Sequence, residues 1–246
     1  MTRDPSTPKS TERPVTRGGR VPETSSSAAD IAAFVAKARA MTPGQAGSGR
    51  LIFALDATIS RQPTWDMACR LQAEMFREAG AIGGLMVRLV YYRGLSECRA
   101  SPWLSDTAQI ARLMSRIECE GGRTQIGRVL SDARREAIAS GVRAIVFVGD
   151  AMEEDVDALC ATAGELGLLK VPCFMFQEGH DPAAETAFRE IARLSGGAWC
   201  RFDTGSAAQL RDLLRAAAAY AAGGREALMR LARTTSGAAA LLGQMT

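Results

Sequence analysis

Short apolar runs alternate with helical patterns along most of the chain. Two of these runs, at 51–55 and 144–148, are too short for a helix, and each leads into an aspartate. The predicted strands are 51–55, 85–92, 97–100, 144–148, 171–176 and 199–202, and the third of them forms a short hairpin with the second. Between the strands, apolar residues recur at helical spacing, as in Ile110, Leu113, Met114 and Ile117.

Strands that alternate with helices favour right-handed crossovers and a mostly parallel sheet with helices on both faces. We therefore predict a three-layer α/β fold over 49–222, with an open, doubly wound, Rossmann-like sheet and one short antiparallel edge strand. Pro, Ser, Thr and Gly supply sixteen of the first 27 residues, which predicts a disordered N-terminal tail over 1–27. A helix and linker are predicted over 28–48, and a helical or flexible tail over 223–246.

Composition narrows the possible classes of function. Hydrophobic residues make up 47% of the chain, and the net charge of +3 argues against nucleic-acid binding through charge alone. The six cysteines form no CxxC pair and there is one histidine, which argues against a zinc site and predicts a reducing cytosol. The polar N-terminus and the lack of any run of roughly 20 apolar residues predict a soluble, cytoplasmic protein that does not bind membranes.

Oxygen-bearing side chains follow the two clearest strands. Asp56 ends the first run, and Asp150 follows the second. In an open parallel sheet, ligands bind outside the carboxyl ends of the strands, and two carboxylates placed there repel unless a cation lies between them. Hydroxyls at Thr58, Ser60 and Thr124 complete a ligand set that consists only of oxygen. Such a set predicts Mg²⁺, or alternatively Mn²⁺ or Ca²⁺.

These residues carry a resemblance to a known family. The segment from Asp56 to Ser60 resembles the DxSxS start of the metal ion-dependent adhesion site (MIDAS) in von Willebrand factor type A (VWA) domains. The segments 122–127 and 148–150 resemble the second and third loops of that site. The resemblance covers about residues 49–222 and is closest to the intracellular, bacterial-type members of the family.

The resemblance also implies a role for each residue of the site. Thr58 and Ser60 match the hydroxyls that bind the metal directly, and Thr124 matches the threonine that binds it directly or through water. Asp56 and Asp150 match the aspartates that act mainly through water. In the family, an acidic side chain from a partner protein completes the metal shell.

Each motif also has a simpler interpretation. A single DxTxS is a common turn sequence, Asp150 alone is a common helix cap, and Thr124 is a candidate N-cap. The sequence departs from the family pattern in two places. Thr58 stands where serine is usual, and Ala151 follows the last aspartate where glycine is frequent.

A rim around the site is predicted to contact the partner, with ordinary loop decoration as the alternative. Its residues are Arg61, Trp65, Arg123, Gln125 and Met152. Arginines beside a cation favour a partner that carries carboxylates. The acidic residues Glu153, Glu154 and Asp155 are predicted to complement the dipole of the helix that follows them.

The predicted function is metal-dependent protein–protein interaction, without catalysis, through an Asp or Glu of the partner. Many intracellular relatives in the family act beside ATPases, chelatases or stress-response assemblies, so the resemblance implies a partner of this kind and a loop movement that couples binding to a change of shape. The alternative is a divalent-metal-dependent hydrolase of phosphoesterase type. The sequence offers it no histidine base near the site and no GxSxG or P-loop motif. A nucleotide-binding Rossmann domain is a third hypothesis, but no GxGxxG follows the first strand.

Overall fold

The computed structural model describes residues 49–61, 65, 85–202 and 207–245. The N-terminal tail predicted over 1–27, the helix and linker predicted over 28–48, and most of the segment between the first two predicted strands lie outside the described residues. The architecture below therefore concerns the described ranges only.

The described strands form one sheet of six strands in the order β3-β2-β1-β4-β5-β6. The strands are β1 (Gly49–Asp56), β2 (Leu85–Arg93), β3 (Glu97–Ala100), β4 (Ala144–Gly149), β5 (Cys173–Glu178) and β6 (Ala198–Phe202). All neighbours are parallel except β2 and β3, which form the antiparallel pair at one edge. The predicted fold class and the short antiparallel edge strand are confirmed.

Helices cover both faces of the sheet. They are α1 (Thr107–Met114), α2 (Ile126–Ser140), α3 (Val156–Leu168), α4 (Pro182–Ser195), α5 (Ala207–Ala232) and α6 (Ser236–Leu242). Three of them begin at an aspartate whose side chain accepts a backbone N–H of the first turn, namely Asp106, Asp155 and Asp181. Such caps satisfy donors that have no partner inside the helix.

The alternation of side chains along β1 divides the core into two layers. Leu51, Phe53 and Leu55 pack in the layer formed with α1, α5 and α6. Ile52 and Ala54 pack in the opposite layer, with α2, α3 and α4. Because both faces of this strand are buried, its sequence is a continuous apolar run with no polar alternation.

The C-terminal segment differs from the predicted tail. Helix α5 continues past residue 222, with non-helical backbone at Gly223 and Gly224, and α6 follows it. Leu228, Leu241 and Met245 are buried in the core layer of α5 and α6. The described part of 223–246 is therefore largely helical and belongs to the packed domain, because its apolar face completes that layer.

The strand order places a crevice at the carboxyl end of β1. Strand β2 lies on one side of β1 and β4 lies on the other, so the order of the chain reverses between β1 and β4. Loops that leave β1 and β4 in opposite directions open a crevice at this point. Asp56 and Asp150 stand at this end of the two strands.

Candidate functional site

Asp56 is the last residue of β1, and its carboxylate is fully enclosed. Its Oδ1 accepts the backbone N–H of Thr58 at 2.7 Å, and its Oδ2 accepts the hydroxyl of Tyr92 at 2.9 Å. Burial raises the pKa of Asp56 above its ordinary value, although the hydrogen bonds from Thr58 oppose that shift. The carboxylate therefore fixes the turn that begins the site.

The turn brings two hydroxyls together. Thr58 Oγ1 lies 3.1 Å from Ser60 Oγ, and a short 3₁₀ turn follows from Ile59 to Arg61. Adjacent ligands of an octahedral Mg²⁺ with bonds of about 2.1 Å are separated by about 3 Å. The spacing of these hydroxyls fits two neighbouring positions of such a shell.

Thr124 and Glu153 join the second loop of the site to the third. The hydroxyl of Thr124 accepts the backbone N–H of Glu153 at 3.0 Å, and its own N–H donates to the Glu153 carboxylate at 3.3 Å. Glu154 accepts the N–H groups of Ile126 and Gly127 at 2.5 and 2.9 Å. Four hydrogen bonds therefore tie the residues after Asp150 to the start of α2.

The predicted role of the acidic residues after Asp150, which was to complement the dipole of the following helix, is correct for only one of them. Only Asp155 serves the following helix α3, as its N-cap. Glu154 instead caps α2, which begins 28 residues earlier in the chain. The physical rule is the one expected, since a carboxylate stabilises a helix N-terminus, but the helix is a different one.

Asp150 differs from every other carboxylate of the site. Its Oδ1 is buried, and no described residue hydrogen-bonds to it. The charge of Asp150 also contributes to the raised pKa of Asp56. A buried carboxylate oxygen without a partner is costly, and a cation bound between the two aspartates would compensate it.

The donor set of the site is limited to oxygen. Within 49–61, 65, 85–202 and 207–245, no three His, Cys, Asp or Glu side chains form a cluster that could hold a metal ion. A cation at this crevice would therefore need hydroxyl ligands beside the carboxylates, as Thr58, Ser60 and Thr124 offer. These residues fit a hard divalent cation.

Comparison with solved structures identifies the fold. The chain resembles the VWA domain of SpRpn10 with a TM-score of 0.54 and 12% sequence identity, over 66% of this chain and 93% of that one. It resembles an aerotolerance-related membrane protein from Bacteroides fragilis with a TM-score of 0.55 and 18% identity, over 69% and 98%.

The chain has the von Willebrand factor type A fold.

A third similar structure contains a bound metal. Proximal thread matrix protein 1 from the mussel byssus, in a structure with a zinc-occupied MIDAS motif, matches with a TM-score of 0.58 and 15% identity, over 70% of this chain and 46% of that one. At these identities the likeness shows the fold alone. No protein-family model matches the VWA-like chain, and no curated protein matches it.

The rim predicted around this VWA site is corrected at three of its five positions. Arg61, Trp65 and Gln125 are only 1%, 4% and 6% exposed. The Trp65 indole donates to the carbonyl of Ile117 at 2.9 Å, and the Gln125 amide donates to the carbonyls of residues 93 and 94. These side chains support the loops from inside and do not face a partner.

Arg61 holds the first loop of the candidate site against the sheet. Its Nε lies 2.8 Å from the Glu178 carboxylate at the end of β5, and its Nη1 donates to the carbonyl of Val148 at 3.1 Å. Of the predicted rim, only Arg123 is exposed, and Met152 is half-buried against the layer of α2. Two of the five predicted contact residues therefore have side chains that reach the surface.

Two residues of the site were not foreseen. Tyr92 lies opposite Asp56 in the parallel register of β1 and β2, which is how its hydroxyl reaches the carboxylate. Glu178 ends an apolar strand as Asp56 does, so the same sequence pattern could have indicated that it lies at this edge of the sheet. No described helix of this VWA-like chain is long and apolar enough to cross a membrane.

Proposed function

We propose that this chain is a metal-dependent protein-interaction module. A divalent cation, Mg²⁺ in the cell, is held at Thr58, Ser60 and Thr124, and an Asp or Glu of a partner protein completes its shell. Asp56 and Asp150 contribute the negative charge and act mainly through water. The proposal places the chain in the cytoplasm, beside an ATPase or chelatase-like assembly, and includes no catalytic step.

One observation carries the proposal: the buried, unpartnered Oδ1 of Asp150. A carboxylate oxygen in that position needs a cation or a donor, and the other polar groups of the site are already engaged with one another. Asp56 is satisfied by Thr58 and Tyr92, and the Thr124 hydroxyl accepts only one hydrogen bond, which leaves it a lone pair for a metal.

Two carboxylates and three hydroxyls leave a bound dication strongly electrophilic. Hydroxyl ligands are neutral, so an incoming carboxylate would be the strongest ligand available to the metal. This charge balance is why the proposed partner group is Asp or Glu.

The metal is tested first, on the full chain. Magnesium added to metal-free protein is expected to raise the melting temperature of the wild type and of Asp157→Asn, an exposed aspartate of α3 that serves as matched control. Asp150→Asn and Thr124→Ala are expected to lose that response. A magnesium response that survives in Asp150→Asn would contradict the site.

The interaction is tested second, by affinity capture from lysate with Mg²⁺ or with EDTA. Partners are expected on wild-type protein in Mg²⁺, and not in EDTA or on Asp150→Asn. A captured protein is then purified and its acidic surface residues are substituted one by one. The proposal requires that one of these substitutions abolishes binding. Capture that is unaffected by EDTA would contradict the proposal.

A further inference from the structure

Strand β6 forms one edge of the described sheet, and two glutamine side chains hold its outer side. The N–H of Trp199 donates to Gln244 Oε1 at 2.9 Å, and the carbonyl of Arg201 accepts Gln209 Nε2 at 3.0 Å. A primary amide carries the donor and the acceptor of a peptide group, so these glutamines make hydrogen bonds that a further strand would make. Both glutamines are exposed, and exchanging them for a strand therefore leaves the core intact.

The alternation of β6 decides which of its main-chain groups point outward. In a strand, the N–H and C=O of one residue point to the same side, and those of the next residue point to the other side. The carbonyl of Phe202 points towards β5, because it accepts the N–H of Gly179, the residue after β5, at 3.3 Å. Trp199 and Arg201 are therefore the residues of β6 that present donors and acceptors at the edge.

Trp199 and Arg201 are complementary to each other. An antiparallel pair around a two-fold axis at Cys200 places Trp199 opposite Arg201 of the second copy, and Arg201 opposite Trp199 of the second copy. Each pair then exchanges two main-chain hydrogen bonds, one of them from the N–H of Trp199 to the carbonyl of Arg201. The donor and the acceptor that the glutamines hold in one chain are thus each other's partners between two copies.

The side chains at this edge also suit a second copy. Trp199 and Arg201 lie on the side of α4, where Arg201 pairs with Glu185, and the Arg201 guanidinium lies 5.4 Å from the Trp199 ring. Directly opposite residues of an antiparallel pair have Cβ atoms about 5 Å apart. Each indole therefore meets a guanidinium of the other copy, which is a favourable contact, and no two like charges lie directly opposite.

A groove of about 560 Å³ runs along the edge on the other face of the sheet. Helices α5 and α6 line it with small residues, among them Ala208, Gly237 and Ala240, and Cys200 lines it from β6. In the two-fold pair, Cys200 faces Cys200 of the second copy at a position without main-chain hydrogen bonds, where Cα atoms are about 4.5 Å apart. The arrangement therefore brings two thiols together at its centre.

We propose that the outer edge of β6 binds β6 of a second copy of this chain, so that the two sheets join into one. The inference rests on the edge alone and does not depend on the proposed metal site. Because the paired strands run in opposite directions, the carboxyl ends of the two sheets lie at opposite edges of the joined sheet. The dimer therefore presents its two candidate sites in opposite directions.

Sedimentation velocity on the full chain tests the dimer under reducing conditions, from about 1 μM to about 1 mM. The wild type is expected to dimerise, and the exposed-glutamine control Gln109→Ala is expected to match it. Gln209→Ala with Gln244→Ala is expected to dimerise about tenfold more tightly, because the edge groups no longer leave an internal partner. Arg201→Pro loses an outward N–H and is expected to dimerise about tenfold more weakly, with circular dichroism as the check on its fold.

Oxidation with copper phenanthroline tests the register and does not need the proline variant. A disulfide between the Cys200 residues of two copies is expected, identified by mass spectrometry of unreduced peptides. Cys160→Ser, at a half-buried cysteine of α3, is expected to form it, and Cys200→Ser is not. A chain that stays monomeric, or a dimer that neither responds to the glutamine variant nor forms this disulfide, overturns the proposal. A monomer that binds a labelled octathreonine peptide at this edge also overturns it, since the edge then accepts a foreign strand.

Discussion

The loops after β1 and β4 begin alike and end differently. Each follows a buried apolar strand, and each presents an aspartate at the crevice between those strands. Asp56 accepts two hydrogen bonds inside the protein, whereas the buried Oδ1 of Asp150 has no partner among the described residues. One signature in the sequence therefore produces a carboxylate that holds a turn and a carboxylate that remains available.

This difference indicates that the two aspartates have different roles in the site. Asp56 is needed for the shape of the metal-free protein, because two donors depend on it. Asp150 destabilises that protein, because its buried Oδ1 has no partner among the described residues, and in the proposed function the bound metal compensates this cost. Substitutions that separate stability from metal response will sharpen or break this comparison.

The largest effect is expected from Asp56→Ala. It leaves the Thr58 N–H and the Tyr92 hydroxyl buried without an acceptor, which lowers the free energy of unfolding by about 2–4 kcal/mol. Urea denaturation followed by circular dichroism measures the loss. Tyr92→Phe should cost less, and in the double variant the two losses should not add, because they share one hydrogen bond. Additive losses would argue against that bond.

A smaller effect is expected from Glu154→Ala. The two N–H groups at the start of α2 lose their acceptor but regain water, which costs about 1–2 kcal/mol in urea denaturation. The magnesium response should weaken as well, because the second and third loops are no longer joined there. Glu154→Gln, which keeps an acceptor, should restore most of the stability and most of the magnesium response. If Glu154→Gln is as unstable as Glu154→Ala, the charge of Glu154 is what stabilises the start of α2.

The smallest effect on metal-free stability is expected from Asp150→Asn, within about 0.5 kcal/mol of the wild type. The contrast appears when metal is added: at a magnesium concentration of about ten times its Kd, the wild type gains about 1.4 kcal/mol and the variant gains none. Urea denaturation with and without Mg²⁺ measures both quantities. If Asp150→Asn lowers the free energy of unfolding of the metal-free protein as much as Asp56→Ala does, the two aspartates have the same structural role and the proposed difference between the loops is wrong.

The sequence predicts what depends on local pattern. The apolar runs ending near Asp56 and Asp150 locate β1 and β4, and the alternation of elements gives the parallel sheet. Contacts between residues far apart in the sequence could not be predicted. An arginine next to Ser60 is ordinarily exposed, and only the position of β5 reveals that Arg61 meets Glu178. Glu154 caps α2 for the same reason: the bond joins residues 28 positions apart.

A glycine gives a second example of this limit. Gly121 and Gly122 are recognisable in the sequence as an interruption between two helical patterns, but that interruption alone does not explain why both are glycine. A Cβ on Gly122 would lie 1.9 Å from the carbonyl oxygen of Gly94, so the loop before Thr124 passes directly over the turn after β2. That approach is a tertiary requirement, and local propensity contains no trace of it.

The brace formed by Arg61 has a kinetic consequence. It ties the loop of Thr58 and Ser60 to both β4 and β5 through a buried ion pair and a hydrogen bond. Breaking a buried pair of this kind costs about 3–5 kcal/mol, so the loop does not rearrange freely in each encounter. In the proposed interaction, such a preformed site would let diffusion and charge set the association rate, so that partners would differ mainly in their residence times.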